Sequence, residues 1–146
     1  MMKIKVKKLD ERAIIPSLGS EYAAGADLYA VCDEIVNIEP HKTVMIHTGL
    51  AMEIPEGYAG LIFARSGLAS KRGLAPANKV GVVDPDYRGE FMVALHNHSD
   101  EPKTVECGER IAQLVIVPFL KADFELADEL NDTKRGVGGF GSTGSK

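Results

Sequence analysis

A period of two in the apolar residues, turn signals at short intervals, and the lack of any long 3.6-residue period predict an all-β chain folded as a sandwich or barrel. The alternation starts at the N-terminus, where Ile4 and Val6 interleave with lysines. Leu50, Met52 and Ile54 alternate with Ala51 and Glu53, and an alternating strand runs from Leu61 to Ala64. Ser66 to Arg72 is the one segment that reads as a short helix. Phe91, Val93 and Leu95 alternate with Met92, Ala94 and His96, and Val105 to Pro118 holds a last apolar run. Between these lie Pro55-Glu56-Gly57, Asp84-Pro85-Asp86, Asn97 to Pro102 and Cys107-Gly108-Glu109, each rich in turn formers. Such spacing of short strands suits a sandwich or barrel.

The 146 residues match the usual size of one domain. A chain of that length can bury roughly 68–70% of its unfolded surface, enough for one core without staples. Glycine is frequent at 15 residues while aromatics make up 6% with no Trp, a balance that favours turns. The net charge of −4 argues against broad nucleic-acid binding, which needs a basic face. A small anionic ligand remains compatible, provided local cations, backbone N–H groups or a metal offset the repulsion. Cys32 and Cys107 form neither a CxxC nor a zinc spacing, and are expected as reduced thiols in a cytosolic protein. The lysines near the N-terminus are not followed by an apolar run, so no signal peptide is expected. The apolar stretch Leu114 to Leu120 is far too short to span a bilayer. These features predict a cytoplasmic protein without membrane partners.

The composition shifts at Asn131, so the expected organisation is one β domain over residues 1–130 and a mobile arm over 131–146. Gly136 to Gly141 matches G-x-G-x-x-G, but too few residues follow for the helix that a dinucleotide fold requires. The Gly139 to Gly144 spacing resembles a P-loop, yet Ser145 stands where Lys is needed. Glycines still let backbone N–H groups approach a phosphate closely, so a phosphate-binding tail is possible without either fold.

Arg65-Ser66-Gly67 combines a cation, a hydroxyl and an approachable backbone N–H, a set suited to a phosphate chain. In Asn78 to Gly89, Asp84 ends an apolar run and opens a turn. It either caps that turn with its side chain or acts as a general base on water. Asn78 offers both a donor and an acceptor for a base edge, and Tyr87 a ring for a sugar face. Gln113 is polar inside an apolar strand and faces either solvent or a site. The histidines His41, His47, His96 and His98 are scattered, and two on one strand face are too few for a metal centre. The H-x-E with P-C-x-x-C signature of zinc nucleobase deaminases is missing.

Taken in order, five segments resemble the motifs of the trimeric dUTPase family. They are Ala24 to Tyr29, Arg65 to Ala69, Gly81 to Gly89 with Asn78 ahead of it, Gly108 to Leu114, and Arg135 to Gly144. The resemblance implies a jelly-roll-like β-fold, a homotrimer with active sites shared between subunits, and Mg²⁺ on the triphosphate. It implies hydrolysis of dUTP to dUMP and pyrophosphate, which removes dUTP and supplies dUMP for dTTP synthesis. By position, Asp84 would orient the water that attacks the α-phosphorus. Asn78 with the hairpin backbone at Gly81 and Val83 would contact uracil, and Tyr87 would pack on deoxyribose. Arg65, Ser66, Gly67 and Gln113 would hold the phosphates, and Asp27 would support the metal through its waters. Arg135 would clamp the γ-phosphate, Phe140 would cover uracil, Ser142 and Thr143 would add phosphate contacts, and Gly141 would contact the substrate.

Two other readings compete. One is a dCTP deaminase of the same fold, possible as a bifunctional enzyme; the other is a trimer that binds nucleotide without chemistry. The full Arg135 to Gly144 tail and the Asp84 hairpin favour hydrolysis over the first, and retention of Asp84 over the second.

Overall fold

In the computed structural model, which describes residues 2–139, the period-two segments become antiparallel strands that turn alternate side chains inward. Phe91, Val93 and Leu95 are each at most 1% exposed, while Met92 between them faces out. The strands are β1 (Lys5–Lys8), β2 (Ser17–Leu18), β3 (Ala26–Tyr29), β4 (Val36–Ile38), β5 (Thr43–His47) and β6 (Leu50–Glu53). They continue with β7 (Tyr58–Phe63), β8 (Leu74–Pro76), β9 (Val80–Val83), β10 (Met92–Asn97), β11 (Lys103–Val105) and β12 (Arg110–Pro118). The expected helix is α1 (Ser66–Arg72). It ends at Gly73, whose φ of 68° lets its N–H return to the carbonyls of Leu68 and Ala69.

The strands form a five-stranded sheet in the order β2-β3-β12-β7-β9, a three-stranded sheet β5-β10-β8, and the pairs β1-β6 and β11-β4. All pairings are antiparallel. Leu28, Ile62 and Leu114 from the large sheet meet Ile46 and Leu95 from the second, Leu50 and Met52 from β6, and Ile38 and Val105 from β4 and β11 in one apolar core. The fold is all-β, as the alternation predicts, and jelly-roll-like, as the resemblance implies.

The alternation along β12 is broken by a bulge. Arg110 pairs with Tyr29, but Ala112 pairs with Leu28, so two steps on β12 match one on β3. Both Ile111 and Ala112 are therefore buried, and Gln113 falls opposite Asp27. After Pro118 the chain carries no further strand or helix among the described residues. Phe119, Leu120, Phe124, Leu126 and Leu130 are all exposed there. No described helix is long and apolar enough to cross a membrane.

One buried polar side chain ties loops to sheet. Asn97 is fully buried, and its amide donates to the Ile38 and Glu101 carbonyls at 2.9 and 2.7 Å. Its oxygen accepts from the N–H and hydroxyl of Ser99 at 2.9 and 2.8 Å. Asn97→Ala would take this donor from the buried Ile38 carbonyl, so it should cost about 1–3 kcal/mol of stability in urea unfolding. A change within about 0.5 kcal/mol, as at ordinary surface positions, would show that the network is dispensable.

Candidate active site

β9 pairs only with β7 and is an edge of the large sheet, so one side of its backbone is unpaired. The chain enters it through Lys79, whose φ of 64° reverses the direction and folds the Asn78 side chain back over the strand. A Cβ at Gly81 would lie 3.1 Å from the Asn78 amide nitrogen and 3.3 Å from Ile62 Cβ, so glycine gives the close fit. β9 leaves through the turn Asp84-Pro85-Asp86-Tyr87, closed by the Tyr87 N–H on the Asp84 carbonyl at 3.2 Å. Asn78, Gly81, Val83, Asp84 and Tyr87 line a cleft of about 240 Å³ together with Met45, Ile62 and Phe91.

The Tyr87 ring is fixed from two sides. It packs on Phe91 at 6.1 Å between centroids, and its hydroxyl donates to the Glu90 carbonyl at 2.9 Å. The Glu90 carboxylate accepts from the Gly49 N–H at 2.8 Å and pairs with His47 at 2.9 Å. Asp84 is exposed, and its carboxylate has no hydrogen-bond partner among the described residues. The turn is closed by backbone alone, so the side-chain cap that would explain Asp84 structurally is not made.

A second cleft, of about 260 Å³, is lined by Gly25, Asp27, Arg65, Ser66, Gly67, Arg110 and Gln113 among others. Asp27, Gln113, Phe63 and Val80 stand in one row across the large sheet. Directly opposed residues share a face, and so does Arg65, two residues beyond Phe63. The Arg65 Nε accordingly donates to Asp27 at 2.7 Å, and Arg110 reaches the other Asp27 oxygen at 3.3 Å. The Gln113 amide donates to the Ala64 carbonyl at 2.9 Å. Gln113 thus faces this cleft, which resolves the two orientations left open by its position in the strand. Two guanidinium groups, a hydroxyl and an amide suit a polyanion.

The two clefts open on opposite faces of the same sheet. Gly81 opposes Ile62 on the core side, whereas Asp27 and Gln113 belong to the alternate face. Arg135 stands apart from both and is exposed, its Nε donating to the Gly138 carbonyl at 2.8 Å. The expectations for Phe140, Gly141, Ser142 and Thr143 lie outside the described residues. Arg110 and Glu90 were not singled out from the sequence. Arg110 sits inside the quoted fourth segment, where its charge beside Gln113 was an available signal. Elsewhere His96 and His98 stack edge-on at 4.5 Å. Burial and His96, with Lys79 and His41, hold the His98 ring below its ordinary range. The described residues hold no group of three His, Cys, Asp or Glu placed to bind a metal.

The dUTPase family model matches residues 11–144. The chain belongs to the dUTPase family. It is 52% identical over 149 residues to the deoxyuridine 5'-triphosphate nucleotidohydrolase of Desulfitobacterium hafniense (strain DSM 10664 / DCB-2), with 99% of each covered. It is 51% identical over 145 residues to the protein of that name from Hydrogenobaculum sp. (strain Y04AAS1), covering 99% of this chain and all of the relative. Its fold matches the Staphylococcus bacteriophage 80alpha dUTPase with dUPNHPP at a TM-score of 0.89 and 31% identity, with 99% of both chains covered.

Within this dUTPase fold, Gly25 controls Gln113. A Cβ there would come within 2.7 Å of the Gln113 amide oxygen, so the Gln113 side chain would have to shift. Gly25→Ala should keep the circular dichroism of the wild type. It should weaken binding of inorganic triphosphate by roughly tenfold in calorimetry, about one charge-assisted hydrogen bond. Undiminished binding would remove Gln113 from the anion cleft.

Proposed function

We propose that this chain hydrolyses dUTP to dUMP and pyrophosphate, with Asp84 as the general base that orients and deprotonates the water attacking the α-phosphorus. The observation that carries this reading is the Asp84 carboxylate, which has no hydrogen-bond partner among the described residues and lines the cleft with Asn78, Gly81, Val83 and Tyr87. A general base has to be free to accept a proton, and one so placed contributes roughly 10²–10⁴ in rate. Uracil fits along the open edge of β9, where backbone at Gly81 and Val83 and the Asn78 amide can meet its polar edge. The ring of Tyr87, held by Phe91 and Glu90, suits a deoxyribose face. The triphosphate goes to the Arg65, Ser66, Gly67 and Gln113 cleft, whose cations offset the overall negative charge.

Metal dependence is general in this family, and we assign Mg²⁺. The donor set fits that ion: one carboxylate, Asp27, lines the anion cleft without further acidic partners. Mg²⁺ keeps several waters and takes substrate phosphates beside one or two carboxylates, so a protein cage is not needed. When bound it would neutralise phosphate charge, with Asp27 holding it through water. Arg135, Phe140, Gly141, Ser142 and Thr143 are assigned to the closing arm on their match to the fifth motif. Such an arm would exclude water and complete the site.

A homotrimer with shared sites accounts for two features. The two clefts face away from each other on one sheet, so a single nucleotide cannot lie in both within one protomer. The chain beyond Pro118 also exposes Phe119, Leu120, Phe124, Leu126 and Leu130, apolar surface that a neighbouring subunit can cover. The free thiols Cys32 and Cys107 suit a cytoplasmic setting.

Chromatography of a timed reaction should show dUMP and pyrophosphate, with Mg²⁺ required for full rate. Asp84→Asn keeps the shape but removes the base, and should lower kcat by roughly 10² or more, about 2.7 kcal/mol, with binding of a non-hydrolysable analogue retained. Release of dUDP and phosphate, or near-normal turnover by the variant, would contradict the assignment.

A further inference from the structure

Cys32 and Cys107 are 75 positions apart in the chain and meet outside both clefts of the active site. The Ala30 N–H bonds to the Glu109 carbonyl and the Gly108 N–H to the Ala30 carbonyl, each at 2.8 Å. That antiparallel pair aligns the segment leaving β3 with the turn Glu106-Cys107-Gly108-Glu109. The turn is closed by the Glu109 N–H on the Glu106 carbonyl at 3.1 Å. Gly108 takes the φ of 78° that a type II turn demands at its third residue. On the other side, Val31 is bridged to His47, which fixes the backbone next to Cys32. The Cys32 N–H then donates to Cys107 Sγ at 3.4 Å. The Cys107 sulfur is thus held against Cys32 by backbone that is hydrogen-bonded on both sides, which makes the two thiols neighbours.

They differ in access. Cys107 is exposed and lines an open cleft of about 570 Å³ with Arg72, Thr104 and Glu106, whereas Cys32 is half-buried behind it. We propose that the pair is a dithiol site that reacts with low-molecular-weight disulfides, Cys107 attacking first and Cys32 resolving. In the first step Cys107, having released its proton to solvent, attacks one sulfur of the small disulfide. A Cys107–sulfur bond forms, the small disulfide bond breaks, and one thiolate leaves with the electron pair. In the second step deprotonated Cys32 attacks Cys107 Sγ, forming the Cys32–Cys107 bond and expelling the second thiolate. The protein loses two electrons and two protons, and the small disulfide becomes two thiols. Burial, followed by its hydrogen bond with Cys107, pushes the Cys32 thiol up from its ordinary range, so it stays protonated longer and is the natural second participant.

The test uses the native full-length protein, oxidised glutathione as the disulfide, and intact mass with peptide mapping. Wild type should lose both free thiols and two hydrogen masses, retain no glutathione, and yield a Cys32–Cys107 linked peptide within one chain. Cys32→Ser should accumulate one glutathione on Cys107, because nothing resolves it. Cys107→Ser should remain unmodified over the same interval. Dithiothreitol should reverse every change. Glutathione persisting on wild-type Cys107, a bond between chains, or two unreacted thiols under conditions that modify Cys32→Ser would each overturn the proposal. So would failure of Cys32→Ser to react at all.

Discussion

β12 runs through the middle of the five-stranded sheet, and the bulge between Arg110 and Ala112 decides which of its side chains meet Asp27. Side chains in a strand alternate faces, so a one-residue change in register exchanges the two faces. With the bulge, Gln113 stands opposite Asp27 and Phe63, while Leu114 stands opposite Ile62 in the core. Without it, Ala112 would take the place of Gln113 beside Asp27, and the amide would move to the other face. The same row brings Arg65 onto Asp27 two residues past Phe63. The anion cleft therefore depends on strand register before it depends on any individual charge.

That register also separates the two halves of the site. The core face of β7 and β9 carries Ile62 and Gly81 in the proposed nucleoside cleft, and the opposite face carries Asp27 and Gln113 in the proposed polyanion cleft. Each half is held rigidly: Tyr87 by Phe91 and the Glu90–His47 pair, Arg65 by Asp27. Rigid placement favours precise chemistry, because a displacement of about 1 Å can cost roughly 10²-fold in rate. A sheet with a cleft on each face is compatible with the proposed symmetric assembly, in which one subunit's nucleoside-side cleft would meet another's anion cleft.

Much of the fold was legible because period-two patterning is a local signal. The inward rows of Phe91, Val93 and Leu95 and of Leu50 and Met52 follow from it, while the helix at Ser66 was legible as the one segment outside that pattern. Pairing partners and the bulge at Arg110 were not legible, because they are set by contacts between segments far apart in sequence. For the same reason the orientation of Gln113 could not be read from its own strand. Arg65 and Asp84 were legible as chemistry in turns, yet the pairing of Arg65 with Asp27, 38 residues away, was not. Arg110 was hidden because an arginine at a strand start usually faces solvent, and its role emerges only once β3 lies beside it. Glu90 was hidden because its work is done by both its carboxylate and its carbonyl, on groups as distant as Gly49.

The central claim is that one nucleotide is held by two clefts from different subunits, and a mixing experiment addresses it directly. Asp84→Asn removes the proposed base from the nucleoside-side cleft, and Arg65→Gln removes a cation from the anion cleft while keeping a donor near Asp27. Each variant alone should be nearly inactive. Unfolded together in equal amounts and refolded, they should form mixed trimers in which about a quarter of the sites draw both intact groups from different chains, restoring that fraction of wild-type dUTP hydrolysis. If both groups acted within one protomer, no mixed site would be complete. Activity no greater than the sum of the two separate variants would then contradict the shared site.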